Sequence, residues 1–359
     1  MSGFLREVIL RKVRLPLIRP YRLSYRTFTE FEPIIVQVRS SMAGEGWGEG
    51  HISPGSSSET REGGWRFCRE MAGHIVGKDL SEAREIISVS MAASKVAATA
   101  MITAIEMMEI HPSLVVDRTL DFPLVAAFSA TDRRHIGDEV ETLLAQGFRT
   151  FKVKVGNDVE ADLARVAAIQ AATAGRAVLR VDANRGYSES DGIRFASSLD
   201  PSGIELFEQP CAAEDWRANA RVAAVSTVPL MLDEPICDLA DIDRAGEIAG
   251  VGFCKLKLKR FGGLQRLRDA LARVRACGME PVLGDGLSSE INCWMEACAS
   301  MGLVIKAGEF NGFLKPSVRL FANPLPFSSG SMRLPAHFWP EIDADSLKAH
   351  EIACERFSA

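Results

Sequence analysis

The sequence predicts an α/β protein: a TIM-like (β/α)7–8 barrel together with an α+β capping domain built by both ends of the chain. After Pro123, short apolar runs alternate with amphipathic helical stretches, which is the pattern of strand–helix units. Before Pro123 the chain alternates like a β-meander and then becomes helical, and the proline-rich tail ends in a helical pattern. We therefore expect a capping domain over residues 1–122, a catalytic barrel over 123–320, and a C-terminal segment over 321–359 that returns to the capping domain.

Two apolar, alternating segments open the capping domain, residues 7–17 (EVILRKVRLPL) and 32–41 (EPIIVQVRSS). The glycine-rich residues 44–50 (GEGWGEG) match neither G-x-G-x-x-G nor G-x-x-x-x-G-K-[ST], so we expect a turn at a strand end rather than a phosphate loop. Residues 57–112 carry apolar side chains at three- and four-residue spacing and are predicted to be helical. Residues 343–357 (DADSLKAHEIACERF) are expected to form one helix.

The barrel prediction rests on eight apolar runs separated by helical stretches, and this number matches the eight strands of a closed (β/α)8 barrel. The runs are residues 123–129, 150–155, 177–182, 204–208, 228–233, 252–257, 280–285 and 303–309. An open doubly wound sheet is the alternative, but such sheets commonly carry a glycine fingerprint after the first strand, and this sequence has none there.

Composition limits the classes of function. The 359-residue chain has 42 Lys and Arg against 47 Asp and Glu, a net charge of -5, and no basic block, which argues against a nucleic-acid partner. Its eight cysteines form no C-x-x-C pair, so no redox or zinc motif is indicated. No run of about 18 apolar residues and no signal-peptide pattern is present, so we expect no membrane partner and a cytoplasmic location.

Charged residues stand at the ends of five neighbouring strand candidates, and they carry the functional prediction. In chain order they are Lys152, Lys154, Asp182, Glu208, Asp233 and Lys257. The two lysines of the first strand alternate with apolar residues, so both side chains leave the same face. From Lys154 onwards the intervals are 28, 26, 25 and 24 residues, about one strand–helix unit each. Because catalytic groups of such barrels lie at the carboxyl ends of the strands, we expect these side chains to converge.

Three carboxylates at successive strand ends would repel one another unless a cation lies between them. Oxygen-only ligands favour a hard ion, and three carboxylates that leave positions for water and substrate suit Mg²⁺. We therefore predict that Asp182, Glu208 and Asp233 bind Mg²⁺. The alternative is that each acid only ends a strand or caps the next helix, but the regular spacing favours the metal site.

Lys154 and Lys257 flank the three acids around the predicted ring and would approach a bound substrate from opposite sides. Burial near a divalent cation lowers the pKa of an amine, which would let either lysine act as a base. Lys152 is expected to stay charged and to support Lys154 or the substrate carboxylate. A Schiff-base lysine is the other chemical role, but it needs a single amine and gives the carboxylates no function.

This arrangement, together with the block KLKRFGG, resembles the muconate-lactonizing subgroup of the enolase superfamily over nearly the whole chain. The resemblance implies that Lys154 and Lys257 are an acid/base pair, that the three acids hold Mg²⁺, and that the α-proton of a carboxylate substrate is removed to give an enediolate. Family members usually associate, so a homo-oligomer is expected. The sister mandelate-racemase pattern needs a histidine after the seventh strand, where this chain has GDGLSSE.

Two departures from the subgroup bear on the substrate. Its dipeptide epimerases carry Asp-x-Asp after the eighth strand to hold a substrate ammonium, whereas this chain has Glu-Phe-Asn at residues 309–311. After the seventh strand it has an additional acid, Asp285. Glu309 and Asp285 at the barrel mouth would suit a cationic amino or imino acid, unless Asp285 pairs with Lys257 or Lys255 and never meets the substrate.

The blocks GDGLSSEINCWMEA and GEFNGFLKP are most similar to cis-3-hydroxy-L-proline dehydratases of this subgroup. This similarity predicts a Mg²⁺-dependent carbon–oxygen lyase that dehydrates cis-3-hydroxy-L-proline. The alternatives are epimerisation or racemisation of dipeptides or N-modified amino acids, muconate-type cycloisomerisation, and a non-catalytic barrel. Two loops of the capping domain, which carry Tyr21, Tyr25 and His51, would close over a small ring-shaped substrate. We expect eight residues to contact the substrate: Lys152, Asn184, Asp285, Glu309, Asn311, Tyr21, Tyr25 and His51.

Overall fold

The computed structural model describes residues 3–22, 27–42, 44–55 and 57–359. The strands of this part of the chain are β1 Leu5–Val13, β2 Leu15–Arg22, β3 Thr27–Phe31, β4 Ile34–Ser40, β5 Glu45–Gly50, β6 Leu120–Pro123, β7 Ala126–Phe128, β8 Thr150–Lys154, β9 Val178–Asp182, β10 Ile204–Glu208, β11 Leu230–Leu232, β12 Val251–Leu256, β13 Glu280–Leu283, β14 Phe327–Ser328, β15 Ser331–Leu334 and β16 Glu351–Ser358.

Its α-helices are α1 Arg61–Ile75, α2 Leu80–Ser90, α3 Lys95–Met108, α4 Arg133–Ala145, α5 Val159–Thr173, α6 Glu189–Ser198, α7 Trp216–Val225, α8 Leu239–Gly246, α9 Leu258–Phe261, α10 Leu264–Ala276, α11 Glu290–Ser300 and α12 Ala344–Ala349. Within the described ranges, none of these helices combines the length and the apolar character that a membrane crossing requires.

The capping domain is a four-stranded antiparallel sheet with the order β16-β1-β4-β5. Apolar side chains of its strands, such as Leu10 and Val36, are buried together with side chains of the following helices, such as Met101. The tail reaches this sheet through β16, where Glu355 lies opposite Leu10 of β1. The predicted return of the C-terminal segment to the amino-terminal meander is therefore confirmed.

The predicted helical region 57–112 is confirmed and consists of three helices, each begun by a side-chain cap. Thr60 accepts a hydrogen bond from the backbone N–H of Gly63 at 3.0 Å, and Asp79 accepts one from that of Glu82 at 2.9 Å. Ser94 caps the third helix in the same way. Because each cap satisfies an N–H group that lacks an intrahelical partner, these residues mark where one helix ends and the next begins.

The glycine-rich segment 44–50 was expected to turn the chain, and this expectation is wrong because most of it is strand β5. A Cβ atom on Gly48 would overlap the carbonyl oxygen of Ala100, and one on Gly46 would overlap that of Ala104. Both carbonyls belong to α3. The glycines therefore let a helix pack directly on the backbone of the strand, a close approach that a strand with side chains could not allow.

The single helix expected over residues 343–357 is also wrong in its second half. Only Ala344–Ala349 is helical, and Glu351–Ser358 is strand β16. Along β16 the residues alternate between partly buried and exposed, as in an edge strand with one face on the protein. Backbone pairing with β1 thus decides the conformation of this segment over its local helical pattern.

The barrel consists of seven parallel strands in the order β13-β12-β11-β10-β9-β8-β7, with helices between them. The eighth predicted strand, residues 303–309, makes a single bridge, between Gly308 and Leu124. Even so, Gly308 N–H donates to Pro123 O and Glu309 N–H donates to Leu283 O, both at 2.8 Å. This segment therefore connects β13 with the residues just before β7 without being a regular strand itself.

Two buried glutamates of the capping domain join it to barrel helices. Glu49 of β5 accepts hydrogen bonds from the backbone N–H groups of Ser289 at 2.7 Å and Asn292 at 3.0 Å, at the start of α11. Glu106 of α3 accepts one from Leu264 N–H at 2.8 Å, at the start of α10. A carboxylate at a helix amino terminus satisfies free N–H groups and complements the helix dipole. These contacts set how the capping domain sits over the barrel.

Candidate active site

The six charged residues at the ends of the predicted strands lie at the carboxyl ends of β8 to β12. Lys152 and Lys154 belong to β8, and Asp182 and Glu208 end β9 and β10. The last two follow β11 and β12 directly in the chain: Asp233 and Lys257. In the strand register Lys154 lies beside Asp182, which in turn lies beside Glu208. Five neighbouring parallel strands therefore present these side chains at one edge of the sheet.

A cavity of about 310 Å³ opens at this edge. Among the described residues, its walls include ten of those singled out in the sequence: Tyr21, Lys152, Lys154, Asp182, Asn184, Asp233, Lys257, Asp285, Glu309 and Asn311. Glu208 is fully buried and does not belong to the described cavity walls.

Lys152 lies among three carboxylates. Its Nζ atom is 2.9 Å from Asp182 Oδ2, 2.7 Å from Glu208 Oε2 and 2.8 Å from Glu309 Oε2. Burial alone would lower the pKa of Lys152, but the charges of these acids raise it well above its ordinary value. The three acids therefore favour the charged form of Lys152.

Lys154 and Lys257 contact different acids at the two ends of the row. Lys154 Nζ lies 2.6 Å from Asp182 Oδ2, and Lys257 Nζ lies 3.0 Å from Asp233 Oδ2. Burial, the largest single influence, lowers the pKa of each lysine, but the nearby acidic groups together outweigh it, and the net effect is a raised pKa for both. The sequence prediction of a lowered lysine pKa assumed a divalent cation beside the two lysines. The protein groups alone do not lower the pKa of either lysine.

The carboxylates fit a hard cation by their chemistry. Both side-chain oxygens of Glu208 are buried. Oε2 lies 2.7 Å from Lys152 Nζ, whereas Oε1 has no hydrogen-bond partner among the described residues. Burial, followed by the charge of Asp182, raises the pKa of Glu208 to about 8. Buried carboxylate oxygens without donors are suited to a cation such as Mg²⁺. In the described part of the chain no group of three or more Asp, Glu, His or Cys side chains is arranged as a metal site. Lys152 Nζ lies between Asp182 and Glu208.

Asp285 and Glu309, expected to attract a cationic substrate, are both paired with protein cations. Asp285 Oδ2 lies 2.5 Å from Lys259 Nζ, so its partner is neither Lys257 nor Lys255 as the alternative had assumed. Glu309 pairs with Lys152, Lys255 and Arg180, the last at 3.3 Å. Both acids line the cavity, but their charges are already matched. The expectation of a cation-binding mouth is corrected accordingly.

Six further cations among the described residues line the cavity, and sequence reasoning did not assign them to the site. They are Lys95, Arg185, Lys255, Lys259, Arg260 and Lys315. Arg260 Nη2 lies 3.0 Å from Asp233 Oδ1, so Asp233 is held between this arginine and Lys257. The alternation of Lys255 and Lys257 was a usable signal for Lys255 alone, since period two directs side chains to one face of a strand. Lys259 and Arg260 lie on the short helix α9, where this rule does not apply. Lys315 lies beyond the last strand segment and had no such signal.

The loop residues expected to cover the substrate differ in position. Tyr21 lines the cavity, whereas Tyr25 lies outside the described residues. His51 is only 2% exposed, is absent from the described cavity walls, and packs against Phe31 with ring centroids 5.2 Å apart. Burial lowers the pKa of His51 to about 3, so the ring is neutral. The expected substrate contact of His51 is corrected to a packing role under the loop.

Two amide side chains of the cavity are held by protein groups. Asn184 Oδ1 accepts a hydrogen bond from Lys154 Nζ at 2.6 Å, and the residue has a positive φ of 43°. Asparagine tolerates this backbone conformation better than most residues. Asn311 Nδ2 donates to the carbonyl oxygen of Val125 at 2.7 Å. Asn184 thus orients Lys154, and Asn311 turns its Oδ1 atom towards the cavity side that carries Lys315.

Family models match both parts of this architecture. Residues 5–110 match "Mandelate racemase / muconate lactonizing enzyme, N-terminal domain", and residues 135–338 match "Enolase C-terminal domain-like". The chain belongs to the mandelate racemase/muconate lactonizing group of the enolase superfamily. The family assignment made from the lysines and acids is therefore confirmed, while the similarity to hydroxyproline dehydratases stays a prediction.

Relatives in this superfamily cover nearly the whole chain at low identity. L-Ala-D/L-Glu epimerase of Bacillus subtilis is 23% identical over 342 residues, 90% of this chain and 92% of that protein. Muconate cycloisomerase 1 of Acinetobacter baylyi is 25% identical over 368 residues, 95% and 97% of the two chains.

Solved structures share the fold. The N-succinyl Arg/Lys racemase from Bacillus cereus has a TM-score of 0.90 at 21% identity, covering 99% of this chain and 100% of its own. A dipeptide epimerase from Cytophaga hutchinsonii, complexed with Mg and the dipeptide D-Ala-L-Val, has a TM-score of 0.88 at 19% identity and covers 99% of each chain. A fold-level likeness of this kind does not transfer a substrate.

Proposed function

We propose that this enolase-superfamily protein epimerises or racemises the α-carbon of an N-acylated amino acid or a dipeptide, with Mg²⁺ bound to Asp182, Glu208 and Asp233. The observation that supports it most is the order of groups around the sheet, in which Lys154 and Lys257 contact acids on opposite ends of a row of three strands. Two bases separated in this way suit removal of a proton from one face of a carbon and its return on the other.

In this proposal the two lysines exchange roles with the direction of the reaction. One lysine takes the α-proton as a neutral amine, and the opposite lysine delivers a proton to the other face of the same carbon. Asn184 and Asp182 hold Lys154 in place, while Asp233 holds Lys257. Lys152 remains charged and helps to neutralise the carboxylates around the substrate.

The three carboxylates would bind the cation that makes proton removal by the lysines possible. A divalent cation bound by them would neutralise charge on the substrate carboxylate and so acidify the α-proton. Glu208 Oε1, which is buried and lacks a hydrogen-bond donor among the described residues, supports this set of ligands. Asp182 and Asp233 pair with Lys154 and Lys257 in the structure, and they would then bind the cation instead of the lysines.

Isomerisation is preferred over the dehydration of cis-3-hydroxy-L-proline for two reasons. The relatives described above are epimerases, a racemase and a cycloisomerase. In addition, Asp285 and Glu309, the acids that made a cationic imino acid attractive, are both paired with lysines. Dehydration remains the second candidate because it begins with the same proton removal and would need only a leaving group at the β-carbon.

The test is to incubate the protein with Mg²⁺ and a panel of substrates in D₂O and to follow the α-proton by NMR and the configuration by chiral chromatography. The panel holds dipeptides, N-acyl amino acids, cis,cis-muconate and cis-3-hydroxy-L-proline. Deuterium uptake with inversion supports the proposal. Loss of the hydroxyl group from hydroxyproline would replace it with dehydration, and no exchange with any N-acyl amino acid or dipeptide would refute it.

A further inference from the structure

The two proposed bases lie on strands that have three other strands between them. In the order β13-β12-β11-β10-β9-β8-β7, Lys154 lies on β8, next to β7, and Lys257 directly follows β12, next to β13. The three proposed metal ligands come from the strands in between. A group that holds one lysine from its outer side can therefore act on one base without touching the acids.

Glu296 of α11 holds the chain directly after Lys257. Its side chain is fully buried, and its carboxylate accepts hydrogen bonds from Leu258 N–H at 2.9 Å and from Asp285 N–H at 3.0 Å. The first N–H belongs to the peptide bond that follows Lys257, and the second lies two residues beyond the end of β13. Because burial of a carboxylate is costly without hydrogen-bond donors, these two contacts explain an acid at this place. Glu296 thus ties the end of β12 to its outer neighbour.

Arg165 of α5 holds the chain at Lys154 in a matching way. Its Nη1 atom donates to Lys154 O at 2.7 Å, and its Nε atom donates to Ala130 O at 2.9 Å. The first carbonyl belongs to the peptide bond that follows Lys154, and the second lies two residues beyond the end of β7. The rigid fork of a guanidinium suits two such acceptors at once. Arg165 thus ties the end of β8 to its outer neighbour.

The peptide bond after each lysine is held at both of its polar groups. One group of each bond has a backbone partner: Val155 N–H donates to Asp182 O, and Lys257 O accepts from Arg260 N–H, each at 2.9 Å. The two charged side chains described above supply the other partner. Because the peptide unit is planar and rigid, holding both groups also fixes the Cα atom from which the lysine side chain extends.

We infer that Glu296 and Arg165 are positioning residues, one for each base: Glu296 positions Lys257, and Arg165 positions Lys154. The inference rests on the proposed function, because it gives a separate support to each lysine that acts on one face of the carbon. Neither side chain belongs to the described walls of the cavity, so each acts through its lysine and not on the substrate. A misplacement on the order of 1 Å can cost about 100-fold in rate. Loss of one support should therefore slow proton removal from one face only.

The first experiment measures the two lysines without a substrate. The protein is acetylated with acetic anhydride in the presence of Mg²⁺, and peptide mass spectrometry gives the rate at each lysine. Glu296→Asp should raise the rate at Lys257 several-fold and leave Lys154 unchanged, because a lysine whose backbone is released is held less closely against its carboxylate. Arg165→Lys should do the reverse. Both variants keep the charge and shorten the reach of the side chain, so a change in net charge does not explain the result.

The second experiment follows exchange of the α-proton in D₂O, with N-acetyl-L-alanine and N-acetyl-D-alanine as separate probes. Glu296→Asp should lower kcat for one enantiomer by about 10- to 100-fold with little change in KM, and Arg165→Lys should do so for the other enantiomer. Burial, followed by the charge of Asp285, raises the pKa of Glu296 to about 7, so both experiments are run at about pH 8.5, where its carboxylate is ionised.

The matched controls are Glu160→Asp and Arg194→Lys, which make the same exchanges in an exposed pair and should change neither readout. If the melting temperature shows that Glu296→Asp is not folded, Glu296→Gln replaces it, since it keeps the size of the side chain and one acceptor oxygen. Acetylation that changes equally at both lysines, or at neither, would refute the positioning roles.

Failure of the positioning roles and failure of the proposed function have different signatures. Exchange that both variants slow equally for both enantiomers, or do not slow at all, keeps the epimerase and refutes the inference. Acetylation that changes at one lysine in each variant, without exchange in any N-acyl amino acid or dipeptide, keeps the positioning roles and refutes the epimerase.

Discussion

Lys154 Nζ lies 2.6 Å from Asp182 Oδ2, and the two residues are direct partners in the register of β8 and β9. This contact joins the proposed base to the proposed metal ligand, so each controls the charge of the other. The carboxylate raises the pKa of Lys154 against the effect of burial. A cation that engaged Asp182 would remove part of this stabilisation of the ammonium and release the amine for proton transfer.

The first prediction concerns Asp182→Asn, which keeps the shape of the side chain and removes its charge. Affinity for Mg²⁺, measured by isothermal titration, should fall by at least about 10- to 100-fold because a charged ligand of a hard ion is lost. Exchange of the α-proton should fall with it. Asp191→Asn is the matched control, since Asp191 lies in the first turn of α6, away from the cavity. Unchanged Mg²⁺ affinity in Asp182→Asn would contradict the metal assignment.

The second prediction separates the two lysines by stereochemistry. Lys154→Met and Lys257→Met should each lose proton abstraction from one enantiomer of the substrate, by about 10²- to 10⁴-fold, the usual contribution of a general base. Each variant should still exchange the α-proton of the other enantiomer in D₂O, because the remaining lysine faces it. Lys348→Met serves as the control at an exposed lysine. Equal loss for both enantiomers in both variants would mean that the lysines act from one side.

Periodicity made much of the barrel predictable. The alternation in FKVKVG and the even spacing of the later acids both follow from local backbone geometry. The structure places these residues on consecutive strands. Ion-pair partners were not predictable, because they depend on side chains that meet across strands. Asp285 contacts Lys259 of the short helix after β12, a contact that needs the path of that helix. Lys315 was missed for the same reason.

The capping domain shows where local pattern is overruled. Glycine at every second position of 44–50 indicated a turn, but the structure uses the missing side chains to admit α3 onto strand β5. Residues 351–358 resembled a helix in sequence and became an edge strand because β1 offered a partner. In both places the deciding neighbour is distant in sequence, so no window of residues around the segment contains the necessary information.

The third prediction tests the joint between capping domain and barrel. Glu49→Ala removes the acceptor for Ser289 N–H, Ser289 Oγ and Asn292 N–H, all buried. Each donor left without a partner costs about 1–3 kcal/mol, so the free energy of unfolding should drop clearly and Glu49→Gln should fall between it and the parent. Chemical denaturation measures both. Glu160→Gln, an exposed acid in the first turn of α5, should change little, and equal stability of Glu49→Ala would refute the joint.

The fourth prediction concerns Glu106, which caps α10 from the capping domain. Burial raises the pKa of Glu106 to about 7, although the N–H groups of Leu264 and Gln265 and the nearby Arg84 favour its charged form. Because this value lies above the ordinary 4.5, the folded protein holds the proton more tightly than the unfolded chain does. The free energy of unfolding contributed by Glu106 is therefore highest below about pH 4.5 and is lost as the pH rises through about 7.

Glu106→Gln should remove this dependence. The difference in unfolding free energy between the parent and the variant should change by on the order of 2–3 kcal/mol between pH 5 and pH 8, in favour of the variant at the higher pH. Urea denaturation at several pH values measures it. Glu85→Gln, at an exposed position of α2, is the control and should run parallel to the parent. Parallel curves for Glu106→Gln as well would mean that Glu106 is already ionised in the folded protein, with its charge fully compensated by the helix and Arg84.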